Sequence, residues 1–247
     1  MKLILKKIID KLGYNFEKKL PFPAVEAKKE IIELIDLASK YSMTGKLRMY
    51  ILAEAIKHVS KKSLKGDFVE CGVWKGGNLI LMNKLNSLYN LDKKIFGYDT
   101  FDGMSEPTDL DIDINKQKAK KIMSDTPKDD SRENIHCYSP IDDVIKNIKA
   151  HCDITNIKLI EGMVEKTLTL EKNLPEQISI LRLDTDFYES TKVELEILFP
   201  KLVSGGVLII DDYGHWEGPR KAVDDYFSEN KYWLHYVDHT CRYLIKD

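Results

Sequence analysis

The stretch Asp67-Phe68-Val69-Glu70-Cys71-Gly72-Val73-Trp74-Lys75-Gly76-Gly77-Asn78 governs how the whole chain is read. A short apolar run enters a glycine turn, and a helical pattern follows from about Gly77 to Tyr89. Glycines let the backbone approach a ligand closely. The free amides at the start of the following helix can hold an anion. The spacing is not the G-x-G-x-x-G dinucleotide fingerprint, because Trp74 stands where a pyrophosphate needs room. A strand, turn and helix in this order predict an open α/β sheet that binds its ligand at the strand's carboxyl end.

Downstream the alternation continues. Apolar runs at Lys94–Tyr98, Ile157–Ile160, Ile178–Leu183 and Val207–Ile210 read as strands. Helical patterns cover residues 140–151, 189–199 and 219–229. Strands alternating with helices predict a mostly parallel sheet covered on both faces. Runs near 232–237 and 241–245, joined by Asp238-His239-Thr240, read as an antiparallel hairpin. Upstream, residues 1–60 read as a helical extension packed on the catalytic region, which occupies 61–247. Helical patterns lie at 25–39 and 46–60. A basic amphipathic pattern at 1–13 suits a helix packed on its own domain or on a second subunit, with a membrane-surface helix as the alternative, so a homodimer is compatible with it. Residues 104–133 are charged and weakly patterned, either a solvated insertion or a substrate lid.

Composition narrows the function class. The 247 residues carry 38 basic and 40 acidic side chains, a formal charge of −2 that gives no reason to expect a nucleic-acid partner. Four scattered cysteines (Cys71, Cys137, Cys152 and Cys241) form no C-x-x-C pair, which suits free thiols in a reducing cytoplasm. No apolar run approaches the ~18–20 residues that span a bilayer. A cytoplasmic enzyme or binding protein is the expectation.

The strand ends carry the candidate chemistry. Asp99 closes the second strand, where an acid can accept both hydroxyls of a ribose; a helix cap or turn aspartate is the plainer alternative. Glu70, an acid at the end of a buried strand, needs a positively charged partner, and a cationic ligand would supply one. Leu183-Asp184-Thr185-Asp186 ends one strand with two acids spaced to fall on the same side. Ile210-Asp211-Asp212-Tyr213 ends the next with an adjacent pair. Four converging carboxylates repel unless a cation neutralises them. All-oxygen ligation points to Mg²⁺, with Mn²⁺ or Ca²⁺ next. Helix caps explain one acid per strand end but not two at both. His215 follows the second pair and titrates near neutrality, which makes it a candidate base or a rim residue.

Phe68–Gly77, Leu181–Thr191 and Ile210–Trp216, with Tyr98–Gly103 and Gly218–Val223, resemble the macrocin O-methyltransferase family. The likeness runs from about Tyr41 to the end. It implies a class I methyltransferase fold: a Rossmann-like, doubly wound, seven-stranded sheet with a C-terminal antiparallel hairpin. The implied cofactor is S-adenosylmethionine (SAM), held by Glu70, Gly72, Gly76 and Gly77, with Asp99 on its ribose. Thr44 would reach its methionine end, and Gly162 and Met163 would lie by its adenine. Asp184, Asp211 and Asp212 match the family's ligands for Mg²⁺ or Mn²⁺, and Asp186 matches its general base. The implied acceptor is a hydroxyl of a sugar or glycosylated small molecule. A metal-dependent phenol or catechol O-methyltransferase differs mainly in acceptor. A NAD-binding oxidoreductase has no use for four acids, and a non-catalytic SAM-binding module leaves them unexplained.

Overall fold

Seven strands build the sheet of the computed structural model, which describes residues 24, 26–132, 134–229 and 232–247. The basic pattern at 1–13 lies outside these residues. The strands are β1 (Asp67–Cys71), β2 (Ile95–Asp99), β3 (Ile157–Glu161), β4 (Ile178–Leu183), β5 (Leu202–Ile210), β6 (His235–Tyr236) and β7 (Arg242–Ile245). Their spatial order is β3-β2-β1-β4-β5-β7-β6. β1 pairs in parallel with both β2 and β4, so the strand order reverses beside it. The final strands run antiparallel, with His235 opposite Tyr243 and Tyr236 opposite Arg242. The sheet is therefore mostly parallel and ends in the expected hairpin.

The helices are α1 (Lys29–Ala38), α2 (Lys46–Lys62), α3 (Gly77–Leu88), α4 (Ala119–Asp125), α5 (Ile141–Lys149), α6 (Val164–Thr167), α7 (Tyr188–Leu198) and α8 (Glu217–Tyr226). One core joins α1, α2, α3 and α5 to the sheet: Ile35, Met49 and Ile56 are buried in the same cluster as Ile80, Ile148 and Ile180. A second core buries Leu181, Leu195, Leu208 and Val223 between the other face and α7 and α8. β4 is buried at every position, as a central parallel strand requires. Its one charged residue, Arg182, is 1% exposed.

Residues 104–133 hold more structure than their pattern announces. α4 lies within them, and isolated bridges pair Ile112 with Lys118 and Asp113 with Trp216. Buried Asp111 accepts hydrogen bonds from the Thr108 hydroxyl and from the backbone amide of Tyr188 at the start of α7. Ala119, Phe187 and Trp216 form a small apolar cluster beneath the segment. Buried acids and their donors organise it, which hydrophobic periodicity does not reveal.

Gly72 sits between β1 and the turn with φ +87°, and a Cβ there would collide with the carbonyl oxygen of Asp184. That backbone contact brings the β1 and β4 ends together. Gly72→Ala should destabilise the protein by about 2–4 kcal/mol through clash and left-handed strain. Urea unfolding checks this, and a variant as stable as the wild type would refute it.

Candidate active site

The carboxyl ends of β1, β2, β4 and β5 open into a cavity of about 180 Å³. Of the residues singled out in the sequence, Thr44, Gly72, Asp99, Gly162 and Met163 line it, together with Asp184, Asp186, Asp211 and Asp212. Glu70, Gly76, Gly77 and His215 are not among the lining residues. A Cβ on Gly76 would touch Ile148 and Val144 of α5, and one on Gly77 would strike the carbonyl of Ala38. These two glycines let α3 pack against α5 and the end of α1. The turn itself still reaches the cavity through Gly72 and Trp74.

Asp99 is tied to that turn. One of its oxygens accepts from the amides of Val73 at 2.7 Å and Trp74 at 2.9 Å, and the other from Phe101 at 2.8 Å. Burial pushes the carboxyl up while the three amides pull it down. Trp74 is held in the left-handed region at φ +48°, a conformation uncommon for a bulky residue outside sites that over-determine it. Asp99 thus pins the loop beside the cavity that it lines.

The sequence reading asked what cation meets Glu70, and the chain supplies its own. Glu70 is fully buried, and one of its oxygens accepts from Arg182 Nη1 and from Asn78 Nδ2, both at 2.8 Å. Its other oxygen has no partner, and burial pushes the carboxyl up to about 8. Arg182 also donates to Asp184 at 2.8 Å, to Asp211 at 2.6 Å and to the Thr44 hydroxyl at 2.8 Å. Thr44, assigned to the methionine end of the cofactor, is therefore engaged by Arg182 and Asn78. A second guanidinium, Arg48, donates to the other oxygen of Asp211 at 3.1 Å and to Asp238 at 2.7 Å.

Two further carboxyls, Asp186 and Asp212, converge with Asp184 beside these pairs. Asp184, Asp186 and Asp212 each present an oxygen, and those oxygens all lie within 4.8 Å of one another. Asp211, by contrast, has both oxygens on arginines. Asp186 adopts φ +63°, again the left-handed region. Two guanidiniums face six carboxyls (Glu70, Asp184, Asp186, Asp211, Asp212 and Asp238), so four carboxyls have no matching cation among these groups. Burial first, then mutual repulsion, raises Asp211 to about 7 and Asp212 well above the carboxylate range. Burial raises Asp186 to about 7, and Asp184 repels its charge further. Asp212 keeps a buried oxygen without any partner. An all-oxygen donor set with surplus negative charge and an orphaned oxygen fits a hard divalent cation.

His215 stands outside the cavity lining, edge-on to Trp216 at 5.1 Å between ring centroids. Burial lowers its pKa, although Asp113 opposes the shift. The sequence reading missed Arg48, Trp74 and Cys137 as cavity residues and gave Arg182 no role. An arginine inside a buried strand, followed by two acids, was the available signal for Arg182.

Comparison with known proteins agrees with this architecture. The O-methyltransferase NovP superposes with a TM-score of 0.75 at 23% identity, covering 88% of this chain and 98% of that one. A calicheamicin methyltransferase, CalS11, gives 0.61 at 18% identity over 94% and 98%. An 8-demethyl-8-(2,3-dimethoxy-alpha-L-rhamnosyl)-tetracenomycin-C 4'-O-methyltransferase from Streptomyces olivaceus is 30% identical over 75% of this chain and 67% of its own. A demethyldecarbamoylnovobiocin O-methyltransferase from Streptomyces niveus is 26% identical over 76% and 68%. The model of the Macrocin-O-methyltransferase (TylF) family matches residues 24–246. By that match this chain, an O-methyltransferase of class I fold, belongs to the macrocin O-methyltransferase family.

Proposed function

We propose that the enzyme transfers a methyl group from SAM to a hydroxyl of a sugar on a small-molecule glycoside, with a divalent cation, Mg²⁺ or Mn²⁺, at the acid cluster. The cluster of Asp184, Asp186 and Asp212 inside the cavity carries this reading. The glycoside substrates in the names of the two Streptomyces relatives support the acceptor class.

SAM supplies an electrophilic methyl carbon, and a divalent cation supplies charge that favours the ionised form of a nearby hydroxyl. The chain's own residues do the rest. Gly72 and the Asp99-pinned loop, with Gly162 and Met163, shape the cofactor end of the cavity. Asp184 and Asp212 belong both to the family's ligand set and to the geometric cluster, so they would hold the cation. Arg48 and Arg182 fix Asp211 beside them. Asp186 takes the hydroxyl proton on a carboxylate oxygen as oxygen bonds to the methyl carbon and the sulfonium leaves as a neutral thioether. In-line placement of nucleophile and methyl contributes up to ~7–11 kcal/mol of the barrier reduction. Met104 and Ser105, at the start of the 104–133 segment, border the cavity where an acceptor would enter.

Asp186→Asn keeps size but removes the proton acceptor. It should lower kcat about 10²–10⁴-fold while leaving the affinity for S-adenosylhomocysteine and for Mn²⁺ within a factor of three. Retained wild-type turnover would dismiss the base assignment and turn attention to His215. Lost Mn²⁺ binding would make Asp186 a ligand instead. Excess EDTA should abolish turnover, and Mg²⁺ should restore it; full activity in chelator would remove the cation from the reading.

The raised carboxyls also predict how stability varies with pH. Glu70, at about 8, and Asp186 and Asp211, at about 7, bind protons more tightly in the folded than in the unfolded chain. The folded state then holds more protons, so stability is fully present below the unfolded carboxylate range near ~4 and is lost as pH rises through 7 to 8. Without divalent cation, Tm should fall by several degrees between pH 6 and 8.5, and millimolar Mn²⁺ should recover most of the loss at pH 8.5. A Tm that climbs over this range in EDTA would contradict the charge balance of the cluster.

A further inference from the structure

Six of the charged side chains that line the cavity are carboxyls, and Arg48 is the single cation among the described residues that do so. SAM carries a carboxylate at its amino-acid end. Placed among those acids, that group would be repelled everywhere except beside a guanidinium. Arg182 is fully enclosed and is not a lining residue, and its Nη1 and Nη2 each serve two acceptors. Arg48 is different. Its Nε is fixed on Asp238 and its Nη1 on Asp211, which sets the plane of the guanidinium. Its Nη2 donates to no group among the described residues, and the side chain keeps 17% of its surface exposed.

The neighbourhood suits an amino-acid end. Arg48 follows Met43 and Thr44, which also line the cavity, and it sits in the first turn of α2. Amides at that end of a helix favour an anion. The other charged groups that line the cavity are carboxyls, which attract the ammonium group and repel the carboxylate.

We propose that Arg48 binds the carboxylate of SAM through Nη2, with Asp238 and Asp211 holding the guanidinium in place. This rests on the SAM reading above. One consequence is that the helical segment before the first strand contributes directly to cofactor binding. Another is that the C-terminal hairpin, which carries Asp238, positions a cofactor contact from the far edge of the sheet.

Calorimetry with two probes tests it: S-adenosylhomocysteine, which keeps the amino-acid end, and 5′-methylthioadenosine, which lacks it. Wild type should bind the former more tightly. Arg48→Met should weaken S-adenosylhomocysteine about 10–100-fold, the scale of a lost charge-assisted hydrogen bond, and change methylthioadenosine by less than threefold. Arg48→Lys should recover part of the difference. Should Arg48→Met fail to fold by circular dichroism, Arg48→Gln carries the same comparison. Unchanged S-adenosylhomocysteine binding would overturn the proposal. So would an equal loss for both probes, since that marks a structural role. A wild type that binds neither probe would instead overturn the SAM reading itself.

Discussion

A single guanidinium buried in the middle of the sheet sets the terms for the rest of the molecule. Arg182 touches Glu70 from β1, Asp184 beyond its own strand, Asp211 beyond β5 and Thr44 before α2. Taking an ion out of water costs several kcal/mol per charge, and only tight pairing with further hydrogen bonds offsets that. The pairing is available because β1, β4 and β5 are adjacent and in register, with Glu70 beside Arg182 and Arg182 beside Ile209. A shift in register would break several ion pairs together. The network specifies the alignment of the three central strands as firmly as the apolar cores on either face.

The same network divides the acids into two groups. Glu70 and Asp211 face arginines, while Asp186 and Asp212 face each other and Asp184 touches both sets. Protein charges satisfy the first group; the second is left to protons or to a cation. That division gives neighbouring residues of like type different work, since each carboxyl's surroundings determine its charge. It also accounts for the backbone strain at Asp186, whose left-handed conformation directs it toward the cluster and is stabilised by the structure around it.

The glycine turn shows how far local sequence carries. Its conformation is left-handed at Gly72, Trp74 and Gly76, which a reader of the sequence expects only for the glycines. Trp74 tolerates it because Asp99, 25 residues downstream, accepts hydrogen bonds from two consecutive amides of the turn. Gly76 and Gly77 look like ligand glycines in the sequence. In the fold packing also requires them, since a Cβ at either would meet α5 or the end of α1.

Apolar periodicity and strand-end polarity were enough to read the alternating elements, the parallel sheet, the closing hairpin and the acids at its carboxyl edge. These are local properties: a buried strand is mostly apolar along its length, and polar residues collect toward its end. The family resemblance in the strand-end motifs was legible for the same reason. Which acids face one another was not, because Glu70, Arg182 and Asp211 are separated by 112 and 29 residues and meet only through strand pairing. Arg48 lies 163 residues from Asp211 and 190 from Asp238. Nothing in its own helix, whose pattern serves the core, signals that it reaches the cavity. The order within 104–133 was hidden likewise, since buried Asp111 accepts from the distant backbone amide of Tyr188 and a backbone bridge joins Asp113 to Trp216. Sequence determined where charge could sit, and tertiary structure decided which charges are neighbours, because electrostatic pairing depends on distance in space and leaves no period along the chain.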